Sequence, residues 1–275
     1  MLLKGKVISD KIVAGILEKD LPKMTLAVFH PANDGAADSY LKTKEKWLKK
    51  INSDIRIYSV SESVSESSFF EQLEAANSDP DVTGIMVELP LPIKVDAEAL
   101  HTKISPFKDV DGVTYLNQGT FFSSGNERLV PCTSLAAIRM LEHYEIPISG
   151  RNVVVIGRSY IVGLPLFKLF LNRNATPTVT HRKTANLPEL LAKADIVAIS
   201  AGTRGIIASS QVRDGATVLD IGIHVLEDGS VAGDMILDGE NEAERINYTP
   251  VPGGVGVVTN AVMLENLVKC YEMQK

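Results

Sequence analysis

The chain is poor in cysteine, in net positive charge and in long apolar runs, and each shortage removes a class of protein. Only two cysteines occur in 275 residues, Cys132 and Cys270. That is no disulfide framework, so a reducing, cytoplasmic setting is expected. The net charge is −6, whereas a nucleic-acid partner calls for a basic surface to meet phosphates; none is expected. No apolar run approaches the roughly 20 residues that span a bilayer. The N-terminal Met1-Leu2-Leu3-Lys4-Gly5-Lys6 has neither the apolar stretch nor the cleavage site of a signal peptide. Neither a membrane partner nor a metal is expected.

What is present is ordinary globular composition, 45% hydrophobic and 23% charged, with length enough for one large domain or two modest ones. No internal repeat or low-complexity tract interrupts it. Short apolar runs alternate with amphipathic stretches, the pattern of an α/β protein. In the first half, strands are expected at Thr25–Phe29, Ile55–Ser59 and Gly84–Leu89, with helices near Val7–Lys19, Ala36–Ile51 and Ser65–Asn77. A break is read at Thr120–Arg128, followed by a helix from Pro131-Cys132-Thr133-Ser134 to about Tyr144. Beyond it, strands are expected at Asn152–Ile156, Thr178–His181, Ile196–Ser200 and Val218–Ile221. The boundaries that follow are 1–122 and 123–259, with a last helix (260–275) packing back on the first domain.

The second half opens with Val153-Val154-Val155-Ile156 running into Gly157-Arg158-Ser159-Tyr160-Ile161-Val162-Gly163. A strand, a glycine turn and a helix present backbone N–H groups to a phosphate. The strict G-x-G-x-x-G fingerprint is absent, and a plain βα turn reads much the same. The following strand ends in His181-Arg182-Lys183-Thr184, without the acid that binds ribose hydroxyls in NAD sites. Arg182, with Arg158, suits a 2′-phosphate, so NADP is favoured over NAD; a solvated basic loop is the alternative. Ser200-Ala201-Gly202-Thr203 and Asp220-Ile221-Gly222-Ile223 sit where α/β ligands bind, as cofactor walls or as ordinary turns.

In the first half, the helix over 36–51 carries five lysines. At about 3.6 residues per turn, Tyr40, Lys44, Trp47, Leu48 and Ile51 share one face. Lys44 is thus a cation inside an apolar stripe, one turn after Tyr40. Loss of hydration there disfavours the ammonium and equips it for acid–base chemistry; a snorkelling stem is the alternative. Glu88, near the end of Gly84-Ile85-Met86-Val87-Glu88-Leu89-Pro90, and the acids of Lys108-Asp109-Val110-Asp111-Gly112 need partners if buried. Lys44 is a candidate.

Taken together, Tyr40-x-x-x-Lys44, Val87-x-Leu89-Pro90-Leu91-Pro92, Lys108-Asp109-Val110-Asp111-Gly112, Pro131-Cys132-Thr133, the Val155–Pro165 stretch and Thr249-Pro250-Val251-Pro252-Gly253-Gly254-Val255-Gly256 are informative. In this order, over nearly the whole chain, they resemble the methylenetetrahydrofolate dehydrogenase/cyclohydrolase family. The resemblance implies two α/β domains flanking a cleft, the second a Rossmann-like NADP-binding domain with a parallel sheet, in a homodimer. It implies oxidation of methylene- to methenyltetrahydrofolate and hydrolysis of that product to formyltetrahydrofolate. Lys44 would be the acid/base group of hydrolysis, Tyr40 would stack on the folate, and Asp111 would bind the pterin. Pro252, Gly253 and Gly254 would border the substrate. Gly157, Arg158, Ser159, Val162, Gly163, Arg182, Gly202, Ile223 and Thr259 would line the cofactor.

The chain departs from the family pattern at Glu88, which stands where glutamine usually holds the catalytic lysine. A carboxylate favours the charged lysine, so weakened hydrolysis is expected, with less effect on hydride transfer. Ala37, Ser134 and Val257 also replace usual residues, several of them expected on the folate side. Two rival readings are another two-domain NAD(P) dehydrogenase, such as a shikimate-dehydrogenase-like enzyme, and a non-catalytic binder of NADP and folate.

Overall fold

The computed structural model describes residues 1–239 and 241–275. It divides into two compact units, one of Lys11–Cys132 with Asn260–Lys275, the other of Met1–Asp10 with Thr133–Thr259. The first ten residues therefore count with the second half, and the chain changes unit at 132/133 rather than 122/123.

The elements begin with α1 (Lys6–Leu17), β1 (Thr25–Pro31), α2 (Gly35–Lys50), β2 (Asp54–Val60), α3 (Glu66–Ser78) and β3 (Gly84–Val87). Next come α4 (Ala97–Lys103), α5 (Tyr115–Ser124) and α6 (Cys132–His143). Three strands form a parallel sheet in the order β2-β1-β3. Every residue of β1 after Thr25 is buried, as expected of a parallel strand covered on both faces. Phe29 stacks on Tyr58 and meets the edge of Phe69, within a core that includes Leu73, Ala76, Ile85 and Leu100.

On the far side of β3, Ile85 exchanges hydrogen bonds with the Lys108–Val110 backbone. That segment acts as a fourth short strand and brings Asp111 level with the end of β3. The expected break at Thr120–Arg128 is corrected in part: Thr120–Ser124 is helical. Thr114 caps α5 by accepting the Asn117 N–H, Gln118 and Phe121 are buried, and Gly125 ends the helix in the left-handed conformation.

The other unit holds β4 (Asn152–Ile156), α7 (Gly163–Asn172), β5 (Thr176–Thr180), α8 (Leu187–Leu191) and β6 (Ile196–Ile199). It continues with β7 (Ile207–Ala208), β8 (Thr217–Asp220), β9 (His224–Val225), β10 (Val231–Ala232), β11 (Met235–Ile236), α9 (Glu242–Arg245) and β12 (Asn247–Tyr248). Its main sheet is parallel, in the order β12-β8-β6-β4-β5. The first strand, β4, has its successors on opposite sides, so the order reverses there; this switch point is where doubly wound sheets bind ligands. Val154, Ile156, Val197, Ile199 and Val218 build the core. The final helix, α10 (Val255–Met273), begins five residues before the expected Asn260, and its part from Asn260 onward belongs with the three-stranded unit. No described helix is long and apolar enough to cross a membrane.

Candidate active site

Helix α2 follows β1, so its first half stands at the carboxyl end of the three-stranded sheet. The lower part of the predicted stripe, Trp47, Leu48 and Ile51, is buried and anchors the helix. The upper part, Tyr40 and Lys44, is what the helix presents to the strand ends. The Lys44 side chain is 15% exposed and its Nζ donates to Glu88 Oε1 at 2.6 Å. The same Nζ lies 5.9 Å from the centre of the Tyr40 ring, near the outer limit of a cation–π contact. Tyr40 remains 44% exposed, an open aromatic surface beside the cation, and partial burial pushes its phenol above the ordinary value.

Two further residues join this group without having been picked out from sequence. His30, near the end of β1, is 3% exposed. Its Nδ1 lies 2.5 Å from Glu88 Oε2, and its Nε2 lies 2.9 Å from Asp38 Oδ1. Burial opposes a charge on this ring, but hydrogen bonds and attraction from Glu88 and Asp38 outweigh it and raise the pKa. The only sequence signal was a polar residue closing an apolar run. Its partnership arises from register, because Phe29 pairs with Val87 and the Glu88 N–H donates to the Phe29 carbonyl at 2.9 Å.

Asp111 follows the pairing segment beside β3. Burial and the nearby Asp109 charge raise its carboxyl, while the Cys132 thiol and the Lys44 charge oppose that shift. Lys44 and Asp111 are thus electrostatic neighbours. Asp109 itself is fully engaged, accepting from the Val113 and Thr114 N–H groups and from Asn117 Nδ2. Burial holds the Cys132 thiol well above its ordinary range, so it is a poor nucleophile. The predicted Tyr40, Lys44, Glu88 and Asp111 therefore come together at one sheet end. Pro252, Gly253 and Gly254 do not belong to that unit; they lie with the five-stranded sheet, where the Gly253 carbonyl accepts the Gly5 N–H at 2.8 Å.

On the five-stranded sheet, the glycine turn leaves β4 at the switch point. Gly157 has φ +117°, and a Cβ there would press on the Ser200 carbonyl; a Cβ on Gly163 would run into the Gly157 carbonyl. Only glycine permits this close turn. Ser159 Oγ accepts the Val162 and Gly163 N–H groups at 3.2 and 3.3 Å, fixing the entry to α7. Arg158 and Arg182 are both exposed. Arg182 lies in a turn just past β5, closed by the Thr184 N–H to the His181 carbonyl. Ser134, one of the departures from the family pattern, belongs to this unit. Its hydroxyl donates to the Val162 and Ile161 carbonyls at 3.0 and 3.3 Å, bracing the same turn.

The two expected cofactor walls are tied together by acids that sequence reading did not pick out as partners. Asp234, whose side chain is fully buried, accepts the Ala201 and Gly202 N–H groups (2.8 and 3.1 Å) and faces His224 Nε2 at 2.7 Å. Asp220 accepts the Asp234 and Met235 N–H groups, each at 3.0 Å. Burial raises the Asp220 carboxyl to about 6 against these bonds. Gly202 and Ile223 are exposed on the two loops, and Thr259 is a half-buried residue of α10 whose hydroxyl donates to the Val255 carbonyl. A glycine turn that no side chain could occupy, exposed arginines and braced strand-end loops fit a dinucleotide carrying a phosphate on its ribose.

A doubly wound parallel sheet with this turn, alongside a parallel unit carrying a lysine–carboxylate cluster at its strand ends, defines the class of two-domain nicotinamide-nucleotide dehydrogenases. The chain belongs, more narrowly, to the tetrahydrofolate dehydrogenase/cyclohydrolase family: residues 3–111 match its catalytic domain and 131–275 its NAD(P)-binding domain. It is 41% identical to the bifunctional protein FolD of Campylobacter hominis, over 98% of this chain and 96% of that protein. The crystal structure of the bifunctional FolD dehydrogenase/cyclohydrolase of Campylobacter jejuni superposes with a TM-score of 0.93 at 35% identity, covering 100% of this chain and 99% of that one. The Trypanosoma brucei FolD, solved with NADP and an inhibitor, gives 0.92 at 27% identity, with 100% and 98% coverage. A shikimate dehydrogenase with NADP+ reaches only 0.51 at 11% identity, covering 91% and 94%, a likeness of fold alone.

Proposed function

We propose that the chain oxidises methylenetetrahydrofolate to methenyltetrahydrofolate with NADP and hydrolyses that product to formyltetrahydrofolate. The observation that carries this is Lys44, seated on Glu88 beside the open Tyr40 ring and within the field of Asp111. In oxidation, the methylene carbon gives up a hydride and the folate becomes a cation; NADP, when bound, supplies the hydride acceptor. No protein proton need move in that step. What the protein does is place the substrate: Tyr40 stacks on and orients the folate, Asp111 binds the pterin, and nearby carboxylates and the aromatic face stabilise the cation.

Hydrolysis is different. Water adds to the methenyl carbon, a carbon–nitrogen bond opens, and a proton is released overall, so a group that takes and returns protons is required. Lys44 takes that role in this reading. Gly157, Arg158, Ser159, Val162, Gly163, Gly202, Ile223 and Thr259 hold the cofactor, with Arg182 on its 2′-phosphate, and Pro252, Gly253 and Gly254 border the folate.

The test is formation of NADPH from methylenetetrahydrofolate, with NAD and shikimate as parallel arms, and decay of methenyltetrahydrofolate followed separately. Turnover of shikimate instead of folate, or cofactor binding without any turnover, overturns the reading. We further read the protein as a cytoplasmic homodimer, supported by its family and by two free, buried cysteines; sedimentation of the purified chain tests the dimer.

A further inference from the structure

His30 and Asp38 extend the lysine–carboxylate pair into a chain of four groups. From the inside outward the links are Lys44 Nζ to Glu88 Oε1 (2.6 Å), Glu88 Oε2 to His30 Nδ1 (2.5 Å), and His30 Nε2 to Asp38 Oδ1 (2.9 Å). The His30 side chain is 4% exposed and that of Asp38 is 52% exposed, so the chain runs from the buried ring to the surface. Among the described residues, Glu88 after β3 and Asp38 on α2 are the charged groups that face the ring. Both ring nitrogens point at carboxylate oxygens. A neutral imidazole has one N–H and one lone pair, and its lone pair would then face an oxygen of like charge density. Two protons on the ring satisfy both contacts, leaving charges that alternate Asp38 (−), His30 (+), Glu88 (−), Lys44 (+).

This alternation bears on the problem that Glu88 poses. A carboxylate in sole contact with Lys44 would hold it as an ammonium, the wrong state for taking up a proton. We propose that His30, kept cationic by Asp38, is a positioning residue for hydrolysis: it occupies the second oxygen of Glu88 and offsets its charge, leaving Lys44 able to exchange protons. Glu88 and His30 then act as a matched pair, each accounting for the other's presence in a nearly buried place. The pair gives Lys44 a hydrogen-bonding partner at 2.6 Å without adding net charge. This inference rests on the reading of Lys44 as the acid–base group of hydrolysis.

The experiment is a set of pH profiles for hydrolysis and dehydrogenation in the full-length protein carrying His30→Gln, Glu88→Gln or both. With His30→Gln alone, the hydrolysis profile moves to higher pH by about one unit, and the ratio of hydrolysis to dehydrogenation near neutral pH falls about tenfold. On the Glu88→Gln background the same change shifts the ratio by less than about twofold, because no carboxylate remains to be offset. An unmoved His30→Gln profile, or an equal loss on both backgrounds, overturns the proposal in favour of a packing role. Lys44→Met separates it from the reading beneath: hydrolysis that survives that change overturns both. Hydrolysis lost in Lys44→Met with an unmoved His30→Gln profile overturns this inference alone. Should His30→Gln fail to fold, ¹⁵N NMR of the unaltered protein decides. The ring is expected to lose its second proton only above its ordinary value of about 6.5; a ring that is already neutral at or below that value overturns the proposal.

Discussion

Both units hold largely buried carboxylates in the loops around their parallel strands, yet they satisfy them by different means. On the three-stranded sheet, Glu88 is met by side chains, Lys44 on one oxygen and His30 on the other. On the five-stranded sheet the partners are mostly backbone: Asp220 accepts from the Asp234 and Met235 N–H groups, and Asp234 from the Ala201 and Gly202 N–H groups, with His224 Nε2 at 2.7 Å beside it. Side-chain partners can gain or lose protons and change rotamer. Backbone N–H groups can do neither, so they fix a loop. The first arrangement suits acid–base chemistry, and the second suits holding a cofactor in one place.

The strongest way to break this contrast is Lys44→Met. If the side-chain network is the chemical one, hydrolysis falls by roughly 10²–10⁴-fold, the usual worth of a positioned acid–base group, while NADPH formation falls far less. Rates for both reactions on one preparation decide it. A parallel loss of the two would mean that Lys44 serves binding and not proton transfer. The counterpart on the other sheet is Asp234→Ala, which strips the Ala201 and Gly202 N–H groups of their acceptor. Since bonds to a buried charge are worth about 1.5–3 kcal/mol each, urea unfolding should show a loss on the order of 3 kcal/mol, accompanied by weaker NADP binding. Glu88→Gln, which keeps an acceptor, should cost distinctly less. Equal losses would erase the distinction between the networks.

The pH dependence of stability sharpens it, because the two networks titrate in different windows. The Asp220 carboxyl is raised from 3.8 to about 6. Its folded state therefore holds a proton the unfolded chain has released, and that stabilisation is complete below pH 3.8 and lost as pH rises through 6. Roughly 2–3 kcal/mol is at stake over that range. His30 is also raised, from 6.5, so its contribution is complete below 6.5 and disappears as pH climbs through its higher folded value. Stability should fall in two successive steps. Asp220→Asn should remove only the first and His30→Gln only the second, as read from urea midpoints between pH 4 and 9. If both substitutions flatten the same step, the windows are not separate.

Much of this contrast was open to a reader of sequence, and what was hidden has a common cause. The alternation of strands and helices, the glycine turn and the misplaced cation of Lys44 are local patterns, and local patterns of period 2 or about 3.6 are legible. His30 and Asp38 look unremarkable singly, the one closing an apolar run and the other an acid in a helix's first turn, where acids are favoured anyway. They meet through the pairing of β1 with β3, which no short stretch encodes. Asp234 was hidden in the same way, since its partners at 201 and 202 lie over thirty residues away. The bracing role of Ser134 was hidden too, since its partners at 161 and 162 are legible in sequence only as a motif, not as carbonyls needing a donor.

Arg182 offers the mildest probe, and the one that most directly distinguishes a fixed charge from a titrating one. No acid follows β5 to claim the ribose hydroxyls, and the turn that carries Arg182 is closed by its own His181–Thr184 bonds, so removing the side chain leaves the backbone in place. An exposed guanidinium that pairs with a phosphate is worth about one factor of ten in binding after screening by solvent. Arg182→Ala should therefore raise the KM for NADP about tenfold, leave kcat nearly unchanged and leave the weaker reaction with NAD as it was. The effect should also shrink as salt is added. Lys44→Met has the opposite signature, a loss in kcat for hydrolysis with little effect on the KM for NADP. If Arg182→Ala harms NADP and NAD equally, its role is to shape the turn, and phosphate selection must come from Arg158 instead.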